Sequence, residues 1–232
     1  MDDTLVIPRR FRGPDTSGNG GWTCGAVSRF VVGRAEVTLR RPPPLETPLR
    51  VEAGGDHVSV LDGDEIVAEA ETVDRPVHWA PFVDPDRAHQ AGERYVGHLH
   101  HEFPNCFTCG PARAPGDGLR IFCGPVEGHP ELVADTWTPD DSLLVGGELG
   151  DPIVWAALDC PSVWAHLADG TAAVLGRMTA EVRQRPVVGQ TYVVVGEARG
   201  GEGRKRYGAA AIYTTAGEPV AASNATWITI DR

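Results

Sequence analysis

A single carboxylate sits in a segment that otherwise carries no charge. PIVWAALDCPSVWAHLA, beginning at Pro152, is apolar around its whole circumference. That pattern predicts a buried helix over about Pro152–Ala165. Asp159 is its one charged residue. An ionised carboxylate in such a place is costly unless paired, and an unpaired one shifts its pKa and stays neutral. Asp159 is therefore either held by donors from elsewhere in the chain or retained for proton transfer or nucleophilic attack. Pro161 removes an amide donor and is expected to kink the helix, freeing the Ala157 carbonyl. A second chemically suggestive stretch is Asn19-Gly20-Gly21, where the turn-rich RGPDTSGNGG runs into a small-residue apolar segment, Trp22–Val32. Glycines allow close approach, and amides at a helix start favour a developing oxyanion; a plain flexible turn is the simpler reading.

The elements that must position these residues occur twice. AEVTLRRPPPLETPLRVEA starts at Ala35, and AEVRQRPVVGQTYVVVGEA starts at Ala180. Each copy follows a Gly-rich turn and an apolar segment, and each runs into further β-rich stretches. A repeat this long reads as one small domain duplicated, so function is to be sought where the copies differ. In the first half, strands are expected near Thr4–Ile7, Ala35–Arg40, Leu49–Glu52 and Ser59–Ala70. Turns are marked by Gly54-Gly55-Asp56 and Asp62-Gly63-Asp64, and Pro42-Pro43-Pro44 belongs to a loop or edge. In the second half, strands near Leu119–Cys123 and Leu132–Trp137 precede the apolar helix, and three long strands close the chain. The boundaries read as residues 1–78, a connector at 79–101, and 102–232. The connector matches neither half, carries one short helix from Asp84, and is expected over Val83–Tyr95 to be the least ordered part of the interior. Strand, buried helix and long antiparallel strands make an α+β pattern.

With these residues in place, the chain resembles a tandem double hotdog protein of the acyl-CoA thioesterase superfamily, each half a long antiparallel sheet wrapped around a central helix. In single-hotdog members of the phenylacetyl-CoA thioesterase type, a His-Gly-Gly turn opens the central helix, and a catalytic Asp follows seven residues after the second Gly. The site joins the turn of one unit to the carboxylate of the other. In this sequence the second half has Gly150-Asp151-Pro152 at the turn and Asp159 seven positions on, while the first half has Asn19-Gly20-Gly21 and then Ser28. The glycines survive in one half and the carboxylate in the other. The resemblance thus implies one complete site, Asn19, Gly20 and Gly21 facing Asp159, and a dead one at Asp151, Pro152 and Ser28. Asn19 stands where the family has histidine, although it can still donate a hydrogen bond. The implied activity is hydrolysis of an acyl-CoA or acyl-carrier thioester, with no cofactor, in a monomeric pseudo-dimer or an oligomer of it. Alternatives are a non-catalytic acyl or small-ligand binder and a hydratase or dehydratase; the latter needs a histidine beside the acid, which neither helix offers.

Other features carry less. Trp22 and Trp155 sit near the inferred turn and are read as core residues or walls of an acyl pocket. Arg204-Lys205-Arg206, at a hairpin of the second half, is a candidate for coenzyme A phosphates, as is Arg40-Arg41. Glu148 reads as an exposed loop residue, and His166 is separated from Asp159 by Pro161. Cys106-x-x-Cys109, with His98, His100 and His101 upstream, has the ligand types for zinc. No second Cys-x-x-Cys accompanies it, so it reads as a tight turn of reduced thiols and no metal is expected. Five cysteines and an acidic start without a basic leader fit a cytoplasmic chain. A net charge of −11 argues against nucleic-acid or anionic-membrane partners, and no apolar run is long enough to span a bilayer.

Overall fold

Strand-forming segments from both halves join one antiparallel sheet. The computed structural model describes residues 3–167 and 171–230, so the start Met1-Asp2 lies outside it. The strands are β1 (Asp3–Leu5), β2 (Ala35–Leu39), β3 (Leu49–Gly54), β4 (His57–Asp62), β5 (Glu65–Thr72), β6 (Gly124–Val126), β7 (His129–Trp137), β8 (Ala172–Val182), β9 (Tyr192–Glu202), β10 (Lys205–Thr214) and β11 (Pro219–Ile230). Their order is β1-β3-β4-β5-β2-β8-β11-β10-β9-β7-β6. Outward from the β2–β8 seam the connectivity repeats, 2-5-4-3-1 on one side and 8-11-10-9-7 on the other. At the seam Glu36 faces Thr179 and Val37 faces Met178, so the beginnings of the two repeated segments run alongside each other. Buried Glu36 closes that junction. It meets Arg177 at 3.2 Å, accepts from Thr179 Oγ1 at 3.1 Å, and pairs with Arg75.

Two helices pack in the main core on one face of the sheet. The first, α1 (Gly20–Ser28), is capped by Asn19, whose Oδ1 accepts the Trp22 amide at 2.8 Å. In the second half, α3 (Asp151–Asp159) starts with Pro152 in its first turn, where no intrahelical bond is lost. A further turn, α4 (Pro161–Trp164), follows after Cys160, so the expected helix is interrupted at Pro161. The two long helices run antiparallel in contact: a side chain on Gly21 would strike Asp159, and one on Gly25 would strike Pro152 and Trp155. Strands β9 and β10 press equally closely on α4, where Gly196 and Gly208 lie against the carbonyls of Pro161 and Ser162. Any Cβ there would collide.

The connector departs from its expectation. Here α2 (Pro85–Gly92), capped by Asp84, is packed on the opposite face of the sheet. Val83, Ala88, Ala91 and Tyr95 are all buried. The reason lies in the strands beneath. Val194, Ala210 and Ile212 face the main core, while Val193, Val195, Ala211 and Tyr213 face outward into a second apolar layer with Val83, Ala88 and Ala91. A sheet apolar on both faces needs cover on both. The strand expected at Leu119–Cys123 is also absent as a sheet member. Its Leu119 and Ile121 amides bond instead to the carbonyls of Phe107 and Thr108. Among the described residues, no helix is long and apolar enough to cross a membrane.

Candidate active site

Asn19 and Asp159 meet at the contact of α1 and α3. Because Asn19 Oδ1 accepts the Trp22 amide, its Nδ2 must point the other way. Nδ2 donates to Asp159 Oδ2 at 2.8 Å and lies 3.3 Å from Thr108 Oγ1. Thr108 in turn donates to the Ala156 carbonyl at 2.7 Å, tying the 106–109 turn to α3. Asp159 is 2 % exposed, and its Oδ1 is buried without a hydrogen-bond partner. Burial pushes its carboxyl up to about 8, and the Cys106 sulfur adds to the rise; the Gly21 amide and the Asn19 side chain oppose it. The close approach depends on Gly21, where a built Cβ would stand 2.5 Å from the Asp159 Cβ.

This pair opens on a cleft of about 550 Å³ between the halves. Asn19, Gly20, Cys106, Asp159 and Cys160 line its inner end. Its walls are largely apolar, from Leu39, Pro42 and Pro43 on one side and Leu175, Trp227 and Ile228 on the other. The volume and lining are those of a small-molecule site. Gly20 lines the cleft, whereas Gly21 is behind it, pressed on Asp159 and the Trp155 carbonyl. The counterpart at the other end of the helix pair is occupied differently. Ser28 bonds back to the Gly25 carbonyl at 3.0 Å, and Asp151 and exposed Glu148 are both bound by Arg185, at 2.9 and 2.8 Å.

Solved structures reproduce this architecture. A tesB protein from Mycobacterium avium subsp. paratuberculosis superposes with a TM-score of 0.61 at 16% identity, over 98% of this chain and 92% of that one. A putative thioesterase II from Thermobifida fusca gives 0.63 at 12% identity, over 99% and 93%. A hot dog fold protein of unknown function from Alicyclobacillus acidocaldarius gives 0.51 at 11%, over 99% and 93%. The fold is a double hotdog. No protein-family profile matches the sequence, and no curated protein matches it.

Within the double hotdog, several sequence candidates fall away from the cleft. Trp22 and Trp155 do not line it. Trp22 stacks on Phe11 with ring centroids 4.5 Å apart, and Trp155 packs against Gly25, so both are buried core residues outside this cleft. Arg204, Lys205 and Arg206 are also absent from the lining. Lys205 pairs with Ile228, which does line the cleft, so the hairpin is adjacent to a lining strand. The Arg206 guanidinium, however, folds back onto the Gly203 carbonyl at 2.9 Å. Arg40 and Arg41 do line the cleft, each paired with an acid, Glu69 and Glu65 respectively. His166 bonds to the Tyr207 carbonyl at 2.8 Å, away from Asp159.

Sequence reasoning missed Thr108, Cys106 and Cys160 as neighbours of Asp159. The Cys-x-x-Cys turn was visible as a motif, but nothing in its spacing showed that it docks on α3. Adjacency to Asp159 was the only signal for Cys160.

Proposed function

We propose that this chain hydrolyses acyl thioesters, with acyl-CoA the best-fitting substrate class. The observation that carries the reading is the 2.8 Å contact of Asp159 with the Asn19 amide at the inner end of an apolar cleft, beside the opening turn of α1. In this reading the acyl chain lies along Leu175, Trp227 and Ile228, and the thioester carbonyl oxygen turns toward the Gly20 end of α1. The helix dipole there favours the charge that develops on that oxygen. Asp159, in its ionised form and held by Asn19, takes a proton from water as the water oxygen bonds to the carbonyl carbon, or attacks that carbon itself to give an acyl-aspartyl anhydride that water hydrolyses after the thiolate has left. Either way the C–S bond breaks and the thiolate leaves. Arg40 and Arg41, at the cleft, and the Arg204–Arg206 hairpin, next to a lining strand, are the basic groups for the coenzyme's phosphates.

The reading is supported by neighbours of the same fold that are named thioesterase II. Among the described residues no histidine lines the cleft, which disfavours a hydratase. The test is thiol release from a panel of CoA esters that varies chain length and includes aromatic acyl groups. Steady release from at least one ester supports hydrolysis. Saturable binding without release from any supports the ligand-binding alternative instead.

A further inference from the structure

The structure gathers three cysteines that the sequence leaves apart. Cys106 and Cys109 come from the turn that opens the second half, and Cys160 follows Asp159 directly. Their sulfurs all lie within 4.8 Å of one another, and Cys106 Sγ to Cys160 Sγ is 3.6 Å. Three thiolates around a tetrahedral zinc, each at about 2.3 Å, stand about 3.8 Å apart. The turn itself is built to this shape. Gly110 bonds to the Cys106 carbonyl at 2.9 Å, and a Cβ on Gly110 would strike Pro104 and Cys106 backbone atoms.

What surrounds the sulfurs separates a metal site from a packed group of thiols. A buried thiol behaves as a small apolar group with a weak S–H donor. Cys123 is of that kind, donating to the Val194 carbonyl at 3.7 Å. Cys106 and Cys109 also receive N–H donors. The Asn19 side chain, at 3.7 Å, is directed at Cys106 Sγ. His101 Nε2, at 3.3 Å, is directed at Cys109 Sγ. His101 Nδ1 accepts the Phe103 amide at 3.0 Å, so the ring proton sits on Nε2 and His101 is a donor to sulfur, not a fourth ligand. N–H groups converging on sulfur are the outer shell that metal-bound thiolates require.

We propose that Cys106, Cys109 and Cys160 bind one zinc ion, with its fourth position open to the cleft. Cys106 and Cys160 line that cleft while Cys109 does not, so the exposed side of the group faces Asp159 and the substrate space. Three protein ligands with water in the fourth place is the open form of zinc coordination, and soft sulfur ligands select zinc over calcium or magnesium. An iron–sulfur cluster would need a fourth cysteine, and Cys24 and Cys123 are outside the group. Binding displaces the thiol protons to solvent, and the ion then clamps the 106–110 turn of the second half to α3. Metal binding by these sulfurs is independent of thioester hydrolysis.

The test uses the full chain purified under reducing conditions, with metal content measured by elemental analysis and the chelated protein reloaded with cobalt(II). The expected results are one zinc per chain and, with cobalt, a sulfur-to-metal charge-transfer band with the intense visible bands of tetrahedral geometry. Cys109→Ser and Cys160→Ser should lose that band, and Cys24→Ser and Cys123→Ser should keep it. The cobalt spectrum of the parent protein decides the matter even if a variant fails to fold. No cobalt–thiolate band, copper in place of zinc, or a Cys106–Cys160 disulfide in the metal-free protein as isolated would each overturn the proposal.

Discussion

The Asn19 side-chain amide reaches the Asp159 carboxylate at 2.8 Å, although 140 positions of sequence separate them. One residue does two jobs there. Its oxygen caps α1, and its nitrogen fixes the acid at the end of α3. Asn19→Ala removes both. Unfolding by denaturant should show a loss of about 1 kcal/mol from the cap, and kcat/KM for thioester hydrolysis should fall about tenfold from the lost hydrogen bond to a charged group. Asn19→Ser keeps a capping oxygen but is too short to hold Asp159. It should recover most of the stability and little of the activity. Equal recovery of both would mean that Asn19 acts on the site only through folding.

The close contact of β10 with α4 makes a sharp stability prediction. A methyl group at position 208 would collide with the Ser162 carbonyl, which is backbone and cannot rotate away. Gly208→Ala should cost about 3 kcal/mol or more. Gly54→Ala, with nothing within 4 Å of the new carbon, should stay within about 0.5 kcal/mol. Comparable melting temperatures for the two variants would contradict the packing described.

Asp135 gives a pH signature remote from the cleft. Burial raises its carboxyl to about 6, against the opposing pull of the Phe122 and Thr136 amides it accepts at 2.6 and 2.7 Å. The folded chain therefore binds a proton that the unfolded chain, with an ordinary value near 3.8, does not. Its contribution to stability is fully present below that lower value and is lost as pH rises through about 6. The parent protein should gain stability over Asp135→Asn as pH falls from about 7 to 4, by a few kcal/mol at most. A difference that is flat, or that grows toward high pH, would contradict this assignment.

The duplication made much of the fold legible. Repeated strands and apolar helices need no tertiary information, and the antiparallel seam at Glu36 and Thr179 follows from pairing like with like. The meeting of Asn19 with Asp159 was legible because the two halves lose complementary parts of one pattern. Contacts set by helix rotation and loop docking were not legible. Trp22 turns toward Phe11 and not toward the cleft, and Cys160 finds Cys106 across 54 positions. The buried connector was missed because polar residues such as Asp86, Arg87 and Gln90 dominate its composition, while beside Gly92 the buried residues of α2 are Ala88 and Ala91. Two small residues leave a weak apolar period.

The central claim is that Asp159 is the reacting group of a thioesterase. Asp159→Asn keeps the shape of the side chain and its contact with Asn19 but removes its capacity to take a proton. The most direct measurement is thiol release by this variant and the parent protein, side by side, on the acyl-CoA ester the parent cleaves fastest, with folding checked by circular dichroism. The account predicts a fall on the order of a hundredfold or more in kcat with the fold intact. Full activity in the folded variant would contradict it.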